Sequence, residues 1–429
     1  MRLISSAFVE PDTFRAHAAR LTRRTDADLF LSGLGRSGEN TNLIGLNPCG
    51  ELVVTEKTRR AEIKDFAFSG PGPCLGFLSY TYGLARQGIS FAQKSPGKTS
   101  AFPLGHFKKY QALILYDQAA KKLDLYARTP KDALGVEKIL ASDPPDCDLR
   151  PPKAARAGFR QSLDRDGYVH AVKKTLEHIR DGHTYQLNLS IKFSLELQAP
   201  DAPDLFFHLL KHNPAPFYAW FKSGPYRIIS TSPERFLRVS GGQVLSQPIK
   251  GTLAFGGRPD ESLVARLTNS PKESAELSMI VDLIRNDISS NCEYGSVRVD
   301  GHKSTFVVDN LLHMYSNVRG RLKKESTCVD LLLDAFPGGS VTGCPKKRTL
   351  EIIEELEPHS RDVYCGGFFV IKDEKNMDSS VAIRTGHLDP GDGVFHFFAG
   401  SGIVIDSDPA SEYAETMAKA EKFLRIQKP

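Results

Sequence analysis

Short alternating runs of apolar and polar residues, separated by glycine and proline, dominate the first third of the chain. Residues 123–127 alternate strictly and follow the apolar run 112–116, a pattern that predicts a β-hairpin. Residues 143–157 contain four prolines and predict an exposed connector. We therefore expect a β-rich N-terminal region over 1–142 and a second region over 158–429. The other elements predicted in the first region are strands at 29–31, 52–54 and 74–80 and a helix at 132–141.

The second region mixes helical and strand patterns. Between Asp164 and Gly182 apolar residues recur every three or four positions, which predicts an amphipathic helix, and residues 185–193 alternate as a strand. The later elements do not alternate regularly between strand and helix, so the pattern favours the α+β class. The remaining predicted strands are 217–220, 227–230, 243–246, 366–371, 380–384 and 394–399, and the remaining predicted helices are 271–287, 327–336, 345–356 and 410–426.

Composition narrows the possible functions. Of the 429 residues, 40% are hydrophobic and 25% are charged, which is typical of a globular protein. The net charge of +5 is small, and no basic tract with interleaved aromatic residues indicates nucleic-acid binding. No apolar window predicts a membrane span, and the N-terminus does not resemble a signal peptide. The seven cysteines are scattered without a Cys-x-x-Cys pair, so we expect reduced thiols in a cytoplasmic protein.

Lys250 is the first candidate for chemistry. Pro248 favours an extended chain before it, and Gly251 permits a tight turn or a close backbone approach after it. A lysine held at a strand end beside Ile249 can be desolvated, which favours the neutral, nucleophilic amine. The alternative is an ordinary solvated lysine at the end of a strand.

Two predicted helices carry paired glutamates. Glu273 and Glu276 lie three residues apart, as do Glu412 and Glu415, so each pair shares one face of its helix. Lys419 continues the second of these faces. Two such pairs can supply oxygen ligands to one Mg²⁺ ion. The alternative is that each pair only interacts favourably with the positive end of its helix.

Two glycine-rich turns are candidate anion sites. Residues 336–348 lead into a helix expected to begin at Pro345, where free backbone N–H groups can bind phosphate or carboxylate, and Thr342 adds a hydroxyl. Residues 399–403 follow a strand, and their glycines allow the backbone to approach a ligand, although a β-bulge would explain them equally well.

Three further polar residues lie in or beside apolar strands. Glu234 follows a strand sixteen residues before Lys250, and a returning strand could bring the two side chains together. His313 and Arg384 are isolated polar residues in apolar surroundings, for which a packing role is the simpler explanation.

Six motifs, in this order, resemble those of the chorismate-utilising enzymes, a family that includes anthranilate, aminodeoxychorismate, isochorismate and salicylate synthases. The resemblance is strong over residues 160–429 and looser before them. The motifs are Ser232-Pro-Glu-Arg, Pro248-Ile-Lys-Gly-Thr, Lys272-Glu-x-x-Glu with Ile280–Asp287, Phe336-Pro-x-x-Ser-Val-Thr-Gly-x-Pro-Lys, Tyr364-x-Gly, and Ala399-Gly-Ser-Gly-Ile with Glu412-x-x-Glu-Thr-x-x-x-Lys.

The resemblance implies an α+β fold of the anthranilate synthase component I type. In that fold two large antiparallel β-sheets pack as a sandwich, with helices outside and chorismate between the sheets. The resemblance also implies that Glu234 protonates the departing C4 hydroxyl and that Mg²⁺ is bound by Glu273, Glu276, Glu412 and Glu415. The substrate contacts that it implies are Gln186, Gly251, Thr252, His313, Thr342, Tyr364, Arg384, Gly400, Ser401, Gly402 and Lys419.

Two positions separate the branches of this family. Isochorismate and salicylate synthases have a water-activating lysine where this chain has Gln186, and anthranilate synthases have alanine where it has Lys250. Lysine at the second position resembles the aminodeoxychorismate synthases, component I, in which the lysine attacks ring C2 before ammonia attacks C4. The resemblance thus implies a transaminase-class enzyme that makes 4-amino-4-deoxychorismate for 4-aminobenzoate and folate synthesis. The alternatives are an anthranilate synthase component I of the tryptophan pathway and a non-catalytic scaffold subunit.

The implied reaction needs a source of ammonia. The sequence contains no added glutaminase-like segment and no fused lyase-like segment, so we expect a separate glutamine amidotransferase subunit and a separate downstream lyase. Free ammonium should replace the amidotransferase in vitro. We expect no nucleic-acid or membrane partner.

Overall fold

The computed structural model describes residues 1–32, 41–90, 102–142, 153–198, 201–256, 259–308, 311–389 and 391–427. Of the predicted connector, residues 143–152 lie outside the described residues. Residues 153–157 are not a free connector, because they form the first part of a strand that pairs with a neighbouring strand.

The two helices that carry the paired glutamates begin in the same way. Ser270 caps one helix by accepting a hydrogen bond from the backbone N–H of Glu273, and Asp408 caps the other through Ser411, each with proline next in sequence. The helices are α1 (Pro11–Arg24), α2 (Arg60–Phe68), α3 (Tyr80–Arg86), α4 (Pro130–Ala141), α5 (Arg165–Arg180), α6 (Ala202–His212), α7 (Glu261–Thr268), α8 (Pro271–Ser289), α9 (Cys328–Ala335), α10 (Lys346–Leu356) and α11 (Pro409–Leu424).

Strands make up most of the remaining structure. They are β1 (Arg2–Phe8), β2 (Ala27–Ser32), β3 (Asn42–Val54), β4 (Cys74–Leu78), β5 (Gly105–Asp117), β6 (Lys122–Ala127), β7 (Lys153–Gln161), β8 (Gln186–Gln198), β9 (Phe217–Ser223), β10 (Tyr226–Ser232), β11 (Arg235–Ser240), β12 (Gln243–Gln247), β13 (Ile249–Ala254), β14 (Arg298–Val308), β15 (Leu311–Arg321), β16 (Gly343–Cys344), β17 (Gly367–Asp373), β18 (Asn376–Val381), β19 (Thr385–Asp389) and β20 (Val394–Ile403). The predicted hairpin is β5–β6.

The strand pairing divides at β5, and all of the pairings described below are antiparallel. One edge of β5 pairs with β3, while the other edge pairs with β6 near its end and with β4 near its start. From β3 the order continues through β2, β9, β10, β19, β20 and β8. From β4 it continues through β17, β18, β11, β12, β15 and β14. The fold is therefore the expected α+β arrangement of two large sheets.

Residues of the central strands alternate between two apolar layers. Phe77 of one sheet packs edge-on against Phe221 of the other, with ring centroids 5.3 Å apart, and both belong to the layer between the sheets. The intervening residues, such as Trp220, face the larger layer beneath the helices. Because both faces of these strands are buried, the sequence there is a continuous apolar run and not an alternating one.

Several elements differ from the sequence predictions. Helices α1, α2, α3, α6 and α7 were not predicted. The strand expected at 380–384 ends at Val381, so that Arg384 lies in the bend before β19. Helix α10 begins at Lys346, with Pro345 as its capping residue and not its first helical residue. Within the described ranges, no helix combines the length and the apolar character needed to cross a bilayer.

Candidate active site

A cavity of about 410 Å³ lies where β13, β15 and β20 meet helices α8 and α11. Most of the residues named from the sequence line it. These are Glu234, Lys250, Gly251, Thr252, Glu273, Glu276, His313, Tyr364, Arg384, Gly400, Gly402, Glu412, Glu415 and Lys419. Gln186, Thr342 and Ser401 are not among its lining residues.

Lys250 and Gly251 form a bulge in β13. Ile249 pairs with Tyr315 of β15, but Thr252 pairs with His313, so the bulged strand holds one residue more than its partner. Gly251 adopts the left-handed conformation, with φ of 80°, which a side-chain-bearing residue rarely tolerates. Bulges of this kind redirect the neighbouring side chain. The close backbone approach expected at Gly251 is present, since a Cβ atom there would lie 3.0 Å from Glu273 Oε2.

Glu234 reaches the same cavity because the chain reverses after it. Strands β11 and β12 form a hairpin in which Arg235 pairs with Gln247, so Glu234 and Lys250 extend from the same end of that hairpin. The Glu234 side chain is buried, and its Oε1 accepts a hydrogen bond of 2.7 Å from the hydroxyl of Ser340. The juxtaposition of these two strand ends agrees with the sequence analysis.

The glycine-rich turn at 336–348 contributes the hydroxyl of Ser340 to the cavity, and not the hydroxyl of Thr342 that the sequence predicted. The Thr342 hydroxyl donates to the carbonyl of Gly338, 2.9 Å away, and Thr342 is buried beside the cavity without lining it. Ser340, in the 3₁₀ turn Gly339–Val341, supplies the hydroxyl that faces the cavity. At the start of α10, the cation Lys346 is paired with Asp287 at 2.8 Å, and neither residue lines the cavity.

The four glutamates line one side of the cavity. Burial raises the pKa of Glu273 and of Glu276, and repulsion from neighbouring carboxylates adds to both shifts while nearby lysines oppose them. Burial also acts to raise the pKa of Glu415, but Lys419, Lys250 and Lys272 together outweigh it and the pKa is lowered. The raised values agree in direction with the crowding expected of converging carboxylates, although burial is the larger cause.

Lysine ammonium groups neutralise part of this acidic wall. Lys419 Nζ lies 2.6 Å from Glu415 Oε1, and Lys272 Nζ lies 3.8 Å from Glu412 Oε1. Glu412 Oε1 also accepts a hydrogen bond from Ser407. In the described parts of the chain, no three His, Cys, Asp or Glu side chains form a group that could hold a metal ion. The donor set of carboxylate oxygens nevertheless suits Mg²⁺ chemically.

Arg384 and Tyr364 give the cavity a place for an anion. Arg384 has a positive φ of 51°, an unfavourable conformation for a residue with a side chain and one that often marks functional sites. Burial lowers the pKa of Arg384, and the neighbouring Tyr364 opposes this shift. Tyr364 is buried and stacks on Phe398, with ring centroids 5.3 Å apart. A buried guanidinium beside a tyrosine hydroxyl suits a carboxylate ligand.

The remaining predicted residues surround these groups. His313 Nδ1 lies 2.9 Å from the Thr252 hydroxyl, which fixes the imidazole at the cavity wall. Lys419 Nζ donates to the carbonyl of Gly400 at 3.0 Å. Ser401 is buried, and its hydroxyl lies 2.9 Å from the Tyr168 hydroxyl, on the helix side of β20.

A buried ion pair beneath the cavity was not foreseen from the sequence. Arg361 and Glu357 are almost fully buried and are joined by hydrogen bonds of 2.8 and 2.9 Å. Arg361 also donates to the carbonyls of Val341 and Asn188, both of which line the cavity. Glu357 accepts from Ser190. The i, i+4 spacing of the two charges was a visible signal, but such spacing is common on exposed helices.

Comparison with a family model places this geometry among known proteins. Residues 42–425 match the model described as chorismate binding enzyme. This match covers most of the N-terminal region as well as the region that carries the motifs.

Individual relatives agree with the family match. The chain is 40% identical over 273 residues to aminodeoxychorismate synthase component 1 of Klebsiella aerogenes, covering 62% of this chain and 59% of that protein. It is 34% identical over 360 residues to aminodeoxychorismate synthase component 1 of Bacillus subtilis, covering 81% of this chain and 75% of that protein. The crystal structure of anthranilate synthase component I from Streptococcus pneumoniae superposes with a TM-score of 0.77 at 28% identity, covering 89% of this chain and 91% of that chain.

Proposed function

Since this chain belongs to the chorismate-binding enzyme family, we propose that it converts chorismate and ammonia into 4-amino-4-deoxychorismate, as aminodeoxychorismate synthase component I does. The observation that carries this proposal is the bulge at Lys250 and Gly251, which places a lysine on the wall of the cavity that Glu234 also lines. A lysine in that place provides a nucleophile, and a buried carboxyl group provides an acid.

Binding of a ring with two carboxylates follows from the charges of the cavity. Arg384 and Tyr364 bind one carboxylate, aided by the backbone of Gly400 and Gly402. Glu273, Glu276, Glu412 and Glu415 would hold Mg²⁺, which would supply positive charge for the second carboxylate. The charge of the ion would then replace that of Lys272 and Lys419 in neutralising the four glutamates.

The first chemical step forms a bond between Lys250 Nζ and ring carbon C2. The ring double bonds shift, the C4–O bond breaks, and Glu234 transfers a proton to the departing oxygen, which leaves as water. The hydrogen bond from Ser340 stabilises the carboxylate that Glu234 becomes.

The second step reverses the sense of the first. Ammonia forms a bond to C4, the double bonds shift back, and Lys250 leaves C2 with the electron pair of the C–N bond. The Glu234 carboxylate takes the proton that the new amino group releases, which restores the starting state of both residues. The sum is the replacement of the C4 hydroxyl by an amino group, with water as the other product.

The partner of this chain in the cell is a separate glutamine amidotransferase that supplies ammonia. The numbering as a component 1 in two relatives supports a second component. The cysteines within the described ranges are free thiols, which supports a reducing compartment such as the cytoplasm.

Product analysis tests the proposal directly. Purified protein is incubated with chorismate, ammonium and Mg²⁺, and the products are separated and identified by mass spectrometry. We expect 4-amino-4-deoxychorismate. Accumulation of fluorescent anthranilate without an added lyase would instead establish the anthranilate synthase alternative, which the resemblance to the Streptococcus pneumoniae structure keeps open. Failure to consume chorismate would favour a scaffold role.

A further inference from the structure

Gln186 lies behind the glycine-rich end of β20, next to the amine of Lys250. Strand β8 begins at Gln186 and pairs with β20, where Ile403 lies opposite Leu187. A Cβ atom built on Gly402 would lie 2.8 Å from Gln186 Nε2 and 3.1 Å from Lys250 Nζ. A side chain at Gly402 would collide with the Gln186 carboxamide and crowd the Lys250 amine, so the glycine allows both groups to approach the same point of β20.

The side-chain oxygen of Gln186 is an unused hydrogen-bond acceptor among the described residues. The side chain of Gln186 is 1% exposed, and its Oε1 atom is buried without a hydrogen-bond partner among the described residues. A buried acceptor without a donor is unfavourable. The amide nitrogen is a donor only, and so is the ammonium form of Lys250, so these two groups cannot hydrogen-bond to each other in that form. A hydrogen bond from the amide to the neutral amine would occupy the lone pair that must attack C2.

Rotation of the carboxamide by half a turn removes this mismatch. The oxygen and the nitrogen of a carboxamide have nearly the same size, so the rotation exchanges them without changing the packing. The oxygen then takes the place of the nitrogen beside Gly402, which Lys250 Nζ also approaches. The geometry points to Gln186 as a positioning residue whose carboxamide oxygen accepts a hydrogen bond from the Lys250 amine and aims the amine at the substrate.

This inference rests on the proposed function, because it concerns the attack of Lys250 on C2. When the C–N bond forms, the lysine nitrogen becomes positively charged and its remaining hydrogens become stronger donors. A fixed acceptor beside that nitrogen stabilises the charge where it develops. The Gln186 oxygen neither gains nor loses a proton, so the balance of atoms in the first step is unchanged.

The test measures covalent attachment of chorismate to Lys250 in the absence of ammonia. Protein and chorismate are mixed with Mg²⁺, quenched with acid at short times, and examined by intact-protein mass spectrometry. Gln186→Met has a similar length but no acceptor oxygen, and we expect it to form the adduct about 10-fold or more slowly, while KM for chorismate changes by less than about threefold. Lys250→Ala is the control that should show no adduct.

Two further variants keep the outcome decisive. Gln186→Glu retains an acceptor oxygen and should form the adduct within about fivefold of the wild-type rate. Gln186→Asn withdraws the amide by one methylene group and should form the adduct as slowly as Gln186→Met. The asparagine variant replaces the methionine variant in the test if the methionine variant does not fold. Thermal unfolding of each variant checks its fold.

The possible failures are distinguishable. Wild-type adduct formation together with an unimpaired Gln186→Met variant would overturn the role of Gln186 while leaving the proposed function intact. Absence of any adduct in the wild type, with turnover preserved in Lys250→Ala, would overturn both.

Discussion

Ser340→Ala tests the acid in the proposed reaction most sharply. The Ser340 hydroxyl donates a 2.7 Å hydrogen bond to Glu234 Oε1, and both residues are buried. When Glu234 gives up its proton, this bond becomes a hydrogen bond to a charged group, worth about 1.5–3 kcal/mol. At about 1.4 kcal/mol for each factor of ten in rate, its loss should lower kcat by roughly 10- to 100-fold. Binding of chorismate should change little, because Ser340 contacts the acid and not the anion-binding side.

The matched control for Ser340→Ala is Thr342→Val, two residues away. The Thr342 hydroxyl donates to the carbonyl of Gly338 inside the protein, so its loss should lower the free energy of unfolding by about 1 kcal/mol. The same variant should retain kcat within about twofold. Chorismate consumption at saturating ammonium gives kcat, and denaturant unfolding gives stability. A Ser340→Ala enzyme with wild-type kcat, or a Thr342→Val enzyme with the larger loss, would refute the assignment of hydroxyls made from the structure.

Three further outcomes are expected. Lys250→Ala should no longer make 4-amino-4-deoxychorismate. Ammonia should instead attack C2 and give aminodeoxyisochorismate or anthranilate. If mass spectrometry shows the same product at the same rate as in the wild type, the lysine only binds the substrate and is not the nucleophile. Glu276→Gln should lose most activity while its thermal unfolding stays within a few degrees of wild type, and an unchanged response to added Mg²⁺ would contradict the metal assignment. Burial raises the pKa of Asp287 from 3.8 to about 6, although the charge of Lys346 opposes the shift. Between about pH 4 and pH 6 only the folded state therefore keeps the proton on Asp287. The free energy of unfolding of the wild type, relative to Asp287→Asn, should fall as the pH rises through this range. The measurement is denaturant unfolding at several pH values in this range. Equal slopes of the free energy of unfolding against pH for the two proteins would exclude the effect.

Local sequence was sufficient to predict the two helices that carry the glutamates and the turn at Lys250, but not the strand β13 that contains that turn. The proline and glycine around Lys250 restrict the backbone within a few residues, and the structure places a bulge there with Gly251 in a left-handed conformation. The capping residues and prolines before α8 and α11 are likewise local signals, and the positions of Glu273 and Glu412 follow from them.

The roles of individual side chains in the site depended on tertiary contacts that local patterns do not contain. Ser340 and Thr342 are two hydroxyl residues of one glycine-rich turn, and only the course of the 3₁₀ turn decides which of them faces Glu234. Arg384 was predicted at the end of a strand, but it lies in a bend between two strands, and the local pattern did not reveal that bend. Helix α6, which was not predicted, has apolar residues beyond one face, since Phe206 and Phe207 are both buried.

The pairing of β4 with β17 has a consequence for how the protein is made. Phe77 and Phe368 lie opposite each other in these strands, although about 290 residues separate them along the chain. At a synthesis rate of about 5–20 residues per second, β4 leaves the ribosome roughly 15–60 s before its partner strand exists. During that interval one edge of β4 has no strand to receive its backbone hydrogen bonds, and its buried residues Leu75 and Phe77 face water. Yield in a cell should therefore depend on chaperone capacity during translation more than on the final stability of the folded chain.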